Sequence, residues 1–125
     1  MSILAGIWMD HRKAVTVILG SENLDMSIIE SNEESVSETL ERPRRMAPHA
    51  RHDVEINRYF DKILRRIKAA DELVLIGPGE AKRQFISFLM LQRSAIKLRE
   101  CMPVGCMTNS EVAQHVCRVF NRSYY

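Results

Sequence analysis

The sequence predicts an α/β fold, a mixed sheet flanked by helices, and three observations predict it. Leu73-Val74-Leu75-Ile76 is an unbroken apolar run that stops at Gly77-Pro78-Gly79, with a helix-forming segment starting at Glu80. That is how a buried strand turns tightly into a helix. Ile3 to Trp8 and Ala14 to Leu19 are strand-like runs around the polar Met9-Asp10-His11-Arg12-Lys13, a β-hairpin with a loop longer than the minimal type. Beyond Asp53, apolar residues recur at a helical rather than a strand period.

Taken in order, the hairpin is followed by a third strand around Leu24 to Glu30, where Leu24, Met26 and Ile28 alternate with polar residues. These three strands form an antiparallel meander. Residues Ser31 to Leu40 are Glu- and Ser-rich, with Val36 and Leu40 four apart, and read as either a strand or a loop. Glu41 to His52 holds Pro43 and Pro48 and has no apolar period, so an exposed loop is expected. Asp53 suits a helix N-cap, and Ile56, Tyr59, Phe60, Ile63, Leu64 and Ile67 form the buried stripe after it, opposite Arg58, Lys62, Arg65 and Arg66.

After strand Leu73–Ile76, a helix from about Glu80 to Ser94 is expected to bury Phe85, Ile86, Leu89 and Met90. Ile96 to Arg99 reads as a further strand. Thr108 with Glu111 three residues on is a capping box, and the helix it starts buries Val112, Val116, Val119 and Phe120, with Tyr124–Tyr125 docking its end. Meander, helix, strand, helix, strand, helix is an order compatible with an RNase H-like layout, although pattern alone also permits other α/β folds.

A chain of 125 residues is the size of one domain and can bury roughly two-thirds of its unfolded surface. No apolar run approaches the roughly 20 residues a membrane span needs, and no basic region precedes the first apolar residues, so neither a membrane anchor nor a signal peptide is expected. Cys101, Cys106 and Cys117 are an odd set near the C-terminus, which argues against a disulfide framework and for a cytoplasmic location.

The net charge of +2 conceals an asymmetry. Glu22 to Glu41 carries seven acids and no Lys or Arg, whereas Arg42 to Lys68 carries Arg42, Arg44, Arg45, Arg51, Arg58, Lys62, Arg65, Arg66 and Lys68 against three acids. The basic half is where a polyanion would be attracted; a solvated helix face and polar loop is the alternative.

Two stretches carry a family resemblance. Gly6-Ile7-Trp8-Met9-Asp10-His11-Arg12-Lys13-Ala14, with Leu75-Ile76-Gly77-Pro78-Gly79-Glu80-Ala81-Lys82, resembles small stand-alone bacterial proteins. These are related to the middle domain of the archaeal and eukaryotic peptide-chain release factors and of Pelota. The resemblance spans nearly the whole chain in the order of its elements. It implies an RNase H-like domain of the translational-machinery-component type, working with ribosomes and RNA. In release factors, a loop between the early strands and the first long helix carries Gly-Gly-Gln, which assists hydrolysis of peptidyl-tRNA. The equivalent stretch, Glu41 to His52, has neither Gly-Gly nor Gln, so release activity does not transfer, and the codon-reading and partner-binding domains are not expected. Pelota's middle domain also lacks the tripeptide, which fits a non-hydrolytic, ribosome-contacting role.

Candidate nucleic-acid contacts are therefore Arg42, Arg44, Arg45, His49, Arg51 and His52, extended by Arg58 and Lys62 on the helix; arginine forks suit phosphates. No aromatic residue is interleaved, so stacking on unpaired bases is not supported. Gly77, Gly79 and Lys82, at a strand-to-helix turn, are a candidate anion site. The turn lacks the glycine spacing and Lys-Ser/Thr ending of a nucleotide-phosphate loop, and a purely structural turn is the competing reading.

Nothing in their spacing makes Asp10, Glu30, Asp71 and Glu72 converge on a metal, and Cys101, Cys106, His115 and Cys117 do not have zinc spacing. The cysteines are expected to be buried small apolar residues. No catalytic residue, metal or cofactor is assigned, and no small-molecule substrate. The expected function is a non-catalytic module associated with RNA or the ribosome. The alternatives are a protein-interaction module, including a homo-oligomer, and a peptidyl-tRNA hydrolase or metal-dependent nuclease.

Overall fold

The computed structural model describes residues 3–20, 23–31 and 48–121, with side chains in the first helix described from Ile56 onward. Its elements are β1 (Leu4–Met9), β2 (Lys13–Leu19), β3 (Leu24–Glu30), α1 (Pro48–Ile67), β4 (Glu72–Gly77), α2 (Ala81–Leu91), β5 (Lys97–Pro103) and α3 (Asn109–Val119). The strands form one sheet in the order β3-β2-β1-β4-β5. The meander β1–β2–β3 is antiparallel, while β1 pairs in parallel with β4 and β4 with β5.

Strand β1 is buried on both faces, as its continuous apolar run requires of a central strand. Ala5, Ile7 and Met9 face one core with Leu73 and Leu75, under Tyr59, Phe60, Ile63 and Ile67 of α1 and Phe85, Phe88 and Leu89 of α2. Leu4 and Trp8 face the other with Val15, Val17, Val74 and Ile76, under Val112, Ala113, Val116 and Cys117 of α3. The layers are thus α1 with α2, sheet, and α3. In the first core Phe60 meets Phe85 edge-on at 5.4 Å, and Phe85 stacks on Phe88 at 6.2 Å, geometries that add to area burial. In the second, Gly6 sits beneath Val116, whose side chain occupies the place a Cβ would take.

The α/β class, the meander and the order of elements are as the sequence predicts, and the capping box is present in both directions. Thr108 N donates to Glu111 Oε1 at 2.8 Å, and Glu111 N donates to Thr108 Oγ1 at 3.1 Å.

Four expectations need correction. Helix α1 begins at Pro48 rather than after Asp53, because proline in a first helical turn gives up a donor that has no intrahelical partner anyway. Met90 is 75% exposed, and Phe88 takes the buried position instead. Strand β5 runs on to Pro103, with a bulge that sets Val74 opposite Glu100 rather than Arg99. Cys101 and Cys106 are exposed, and only Cys117 is buried: Cys101 lies on β5, an edge strand among the described strands and exposed along most of its length, whereas Cys117 lies on the inner face of α3. The Ser31–Leu40 segment, all but its first residue, and the Tyr124–Tyr125 terminus lie outside the described residues.

Candidate functional site

The C-terminal ends of β1 and β4 lie side by side, Trp8 opposite Ile76. From there the chain turns to β2 on one side and through α2 to β5 on the other. Open α/β sheets place ligands at such a reversal of strand order, and both motifs singled out in the sequence meet there. In the β1–β2 turn, the Asp10 carboxylate accepts from Arg12 N at 2.7 Å and Lys13 N at 2.9 Å. Its backbone carbonyl accepts from the Tyr59 hydroxyl at 2.8 Å. Burial, and secondarily the Asp10 charge, push the Tyr59 phenol well above its ordinary range.

In the β4–α2 turn, Gly77 (φ 141°) and Gly79 (φ 69°) adopt the backbone region that favours glycine. Gly77 also lies so close to Met9 O that a Cβ would collide with it. Lys82 is only 5% exposed, and its Nζ donates to Gly77 O at 2.7 Å and Gly79 O at 3.0 Å. The ammonium thus closes the turn on itself, and a bound anion would compete with those carbonyls. His11 Nε2 reaches Gln84 Oε1 at 2.6 Å, tying the two turns together.

Two of the acids whose spacing does not converge on a metal carry structural bonds. Asp71 accepts from Ile3 N at 2.8 Å, and Glu72 pairs with Arg99 at 3.4 Å. Among the described residues no three His, Cys, Asp or Glu side chains gather as a metal site. His115 instead meets Glu100 at 2.8 Å.

Of the candidate nucleic-acid residues, Arg42, Arg44 and Arg45 lie outside the described residues. His49, Arg51 and His52 belong to the first turns of α1 rather than to a loop, with side chains not described. Arg58 and Lys62 are exposed further along the same helix. His49, Arg51, His52, Arg58 and Lys62 thus belong to one helix.

Sequence reasoning missed a feature beside it. Arg58, Asp61 and Arg65 run down one side of α1, with Lys68 just past its end, toward the end of α2 and Arg93, along two adjoining cavities of about 510 and 490 Å³. The three- and four-residue spacing on α1 was available as a signal; nothing in the sequence placed Arg93 opposite.

The fold is similar to that of Pelota from Thermoplasma acidophilum, with a TM-score of 0.62 and 14% identity over 92% of this chain and 32% of that one. Pelota from Archaeoglobus fulgidus gives 0.59 and 13% over 94% of this chain and 31% of that one. An archaeal translation termination factor gives 0.57 and 16% over 94% and 34%. The likeness is to the middle domain of these proteins, and the chain spans about a third of their length. At these identities it is a likeness of fold. Neither a family model nor a curated protein matches the sequence.

Proposed function

We propose that this chain is a non-catalytic module that associates with RNA or the ribosome, related to translation termination and rescue factors and to the stand-alone bacterial proteins its motifs resemble. The observation that carries the reading is the fold likeness to Pelota and to an archaeal translation termination factor over more than nine-tenths of the chain. The absence of Gly-Gly-Gln between Glu41 and His52 favours contact over hydrolysis. In this reading Arg42, Arg44, Arg45, His49, Arg51 and His52 form the contact together with Arg58 and Lys62, the arginines pairing with phosphates.

Co-sedimentation with purified ribosomes across a salt series tests it. Pelleting is expected at low salt, with affinity falling steeply as salt rises, and the triple variant Arg42→Ala, Arg44→Ala, Arg45→Ala is expected to flatten the slope of log affinity against log salt by roughly 2–3. The thermal midpoint should not change. Failure to pellet at any salt, or a triple variant with full affinity and an unchanged slope, overturns the reading or its assignment to these arginines, respectively.

A further inference from the structure

We propose that the cavity of about 490 Å³ at the ends of α1 and α2 binds a small organic phosphate monoester. Lys68 and Arg93 hold the phosphate, and Leu64, Ala70 and Ile96 receive the organic group. The two helices finish beside this cavity, and β4 and β5 start just beyond it. Lys97 N donates to Asp71 O at 3.0 Å, which ties the α1–β4 connection to the start of β5. A volume of this order suits a small ligand.

Charge selects the phosphate. The cavity is lined by Arg65, Lys68 and Arg93 against one acid, Asp61, and Asp61 is already paired with Arg65 at 2.9 Å. The side chains of Lys68 and Arg93 have no hydrogen bond or ion pair among the described residues. Two unit charges thus stand uncompensated. A carboxylate answers one of them, whereas a phosphate monoester carries about −1.5 to −2 near pH 7 and answers both. Lysine supplies a point charge, and arginine a fork that spans two phosphate oxygens. Ser94 adds a donor, because its Oγ accepts from Ile96 N at 3.3 Å and keeps its own proton to give.

Cations beside helix C-termini are ordinarily there to complement the dipole. That accounts for Lys68 and not for Arg93. The last carbonyls of α2 are taken by backbone donors: Phe88 O by Gln92 N at 3.0 Å, Leu89 O by Ser94 N and Met90 O by Arg93 N, both at 3.1 Å. Arg93 itself has a φ of 55°, a conformation glycine adopts at less cost. The other described non-glycine residue with positive φ is Asn121, a type that tolerates it. An arginine held where glycine is more stable marks a site rather than a cap. The apolar side selects an ester over the free ion. Leu64 and Ile96 pack on the first core and Ala70 belongs to it, and an organic group removes their remaining surface from water.

The test is a ¹⁵N NMR titration of the full chain with phenyl phosphate, inorganic phosphate, phenyl sulfate and single-stranded U12. Phenyl phosphate is expected to shift the amides of Lys68, Arg93, Ser94 and Ile96 saturably, with a Kd below about 1 mM. Inorganic phosphate, which lacks the apolar group, should bind at least fivefold more weakly. Phenyl sulfate, of the same shape with a single charge, should bind at least threefold more weakly. Arg93→Gly should weaken phenyl phosphate at least tenfold without lowering the thermal midpoint. Lys68→Gln, at an exposed position outside every helix and strand, should weaken it at least threefold and serves alone if Arg93→Gly unfolds. A Kd above that limit, or undiminished binding in these variants, overturns the proposal. So does inorganic phosphate binding as tightly as the ester, or U12 moving the same amides as tightly, an outcome that assigns the cavity to a nucleic-acid backbone instead. Lys68 and Arg93 take no part in the ribosome reading, so its fate in co-sedimentation is independent of this one.

Discussion

The Tyr59 hydroxyl leaves α1 to cap the carbonyl of Asp10 from inside the core, its ring 1% exposed. Tyr59→Phe removes one buried hydrogen bond and leaves that carbonyl short of a donor, an expected loss of about 1 kcal/mol in urea unfolding at pH 7. The pH dependence separates this residue from the rest. Its folded pKa is raised, so the native state holds the phenol proton more tightly than the unfolded chain does. The stability this confers is complete below the unfolded value near pH 10 and is lost as pH rises beyond it, at about 1.4 kcal/mol per pH unit. The difference between wild type and Tyr59→Phe should therefore shrink and change sign above about pH 10; a constant difference from pH 7 to 11 would refute the assignment. Gly6 makes a steric prediction. Gly6→Ala drives a methyl into Val116 and is expected to cost about 1–3 kcal/mol, part of it recovered by adding Val116→Ala. Additivity of the two losses, measured in a double-mutant cycle, would count against direct contact.

Among the elements, α3 depends on its start. Thr108→Ala removes the side-chain acceptor of the capping box and should lower stability by about 1 kcal/mol, with Glu111→Ala costing less once Thr108 is gone. At the end of α2, Arg93→Gly relaxes a left-handed backbone and should raise the thermal midpoint, for a gain of about 0.5–1 kcal/mol; a fall would show that the Arg93 side chain contributes more than its backbone costs. These local signals also mark what the sequence allowed to be read. The capping box was legible because its two partners are three residues apart. The start of α1 was misplaced because a proline ends one helix and begins another with equal ease. The exposure of Met90 was not legible, since helical period assigns a face but not how far the sheet extends beneath it, and that of Cys101 was not, since the place of β5 at the margin of the described sheet is set by strand order rather than by local pattern.

Among the described strands, β2, β1 and β4 have strands on both sides while β3 and β5 are edges. Amide exchange should accordingly be slowest at Ile7 and Leu75 and much faster along β5, where Leu98 and Met102 are 44% and 42% exposed; uniform protection across the sheet would contradict this layering. The fold was legible because each element states its period locally. The cavities along α1 were not, because Arg65 and Arg93 are brought together only by packing α1 against α2. The sheet order carries one more consequence. Strand β1 lies between β2, its neighbour in sequence, and β4, which begins at residue 72, 42 residues after β3 ends at residue 30. On a chain being synthesised at about 5–20 residues per second, the finished meander waits roughly 2–8 seconds with the edge of its most apolar strand unpaired. The meander alone is thus a sticky intermediate, and the emergence of Leu73 to Ile76 is the moment at which the nascent chain ceases to offer that edge to other strands.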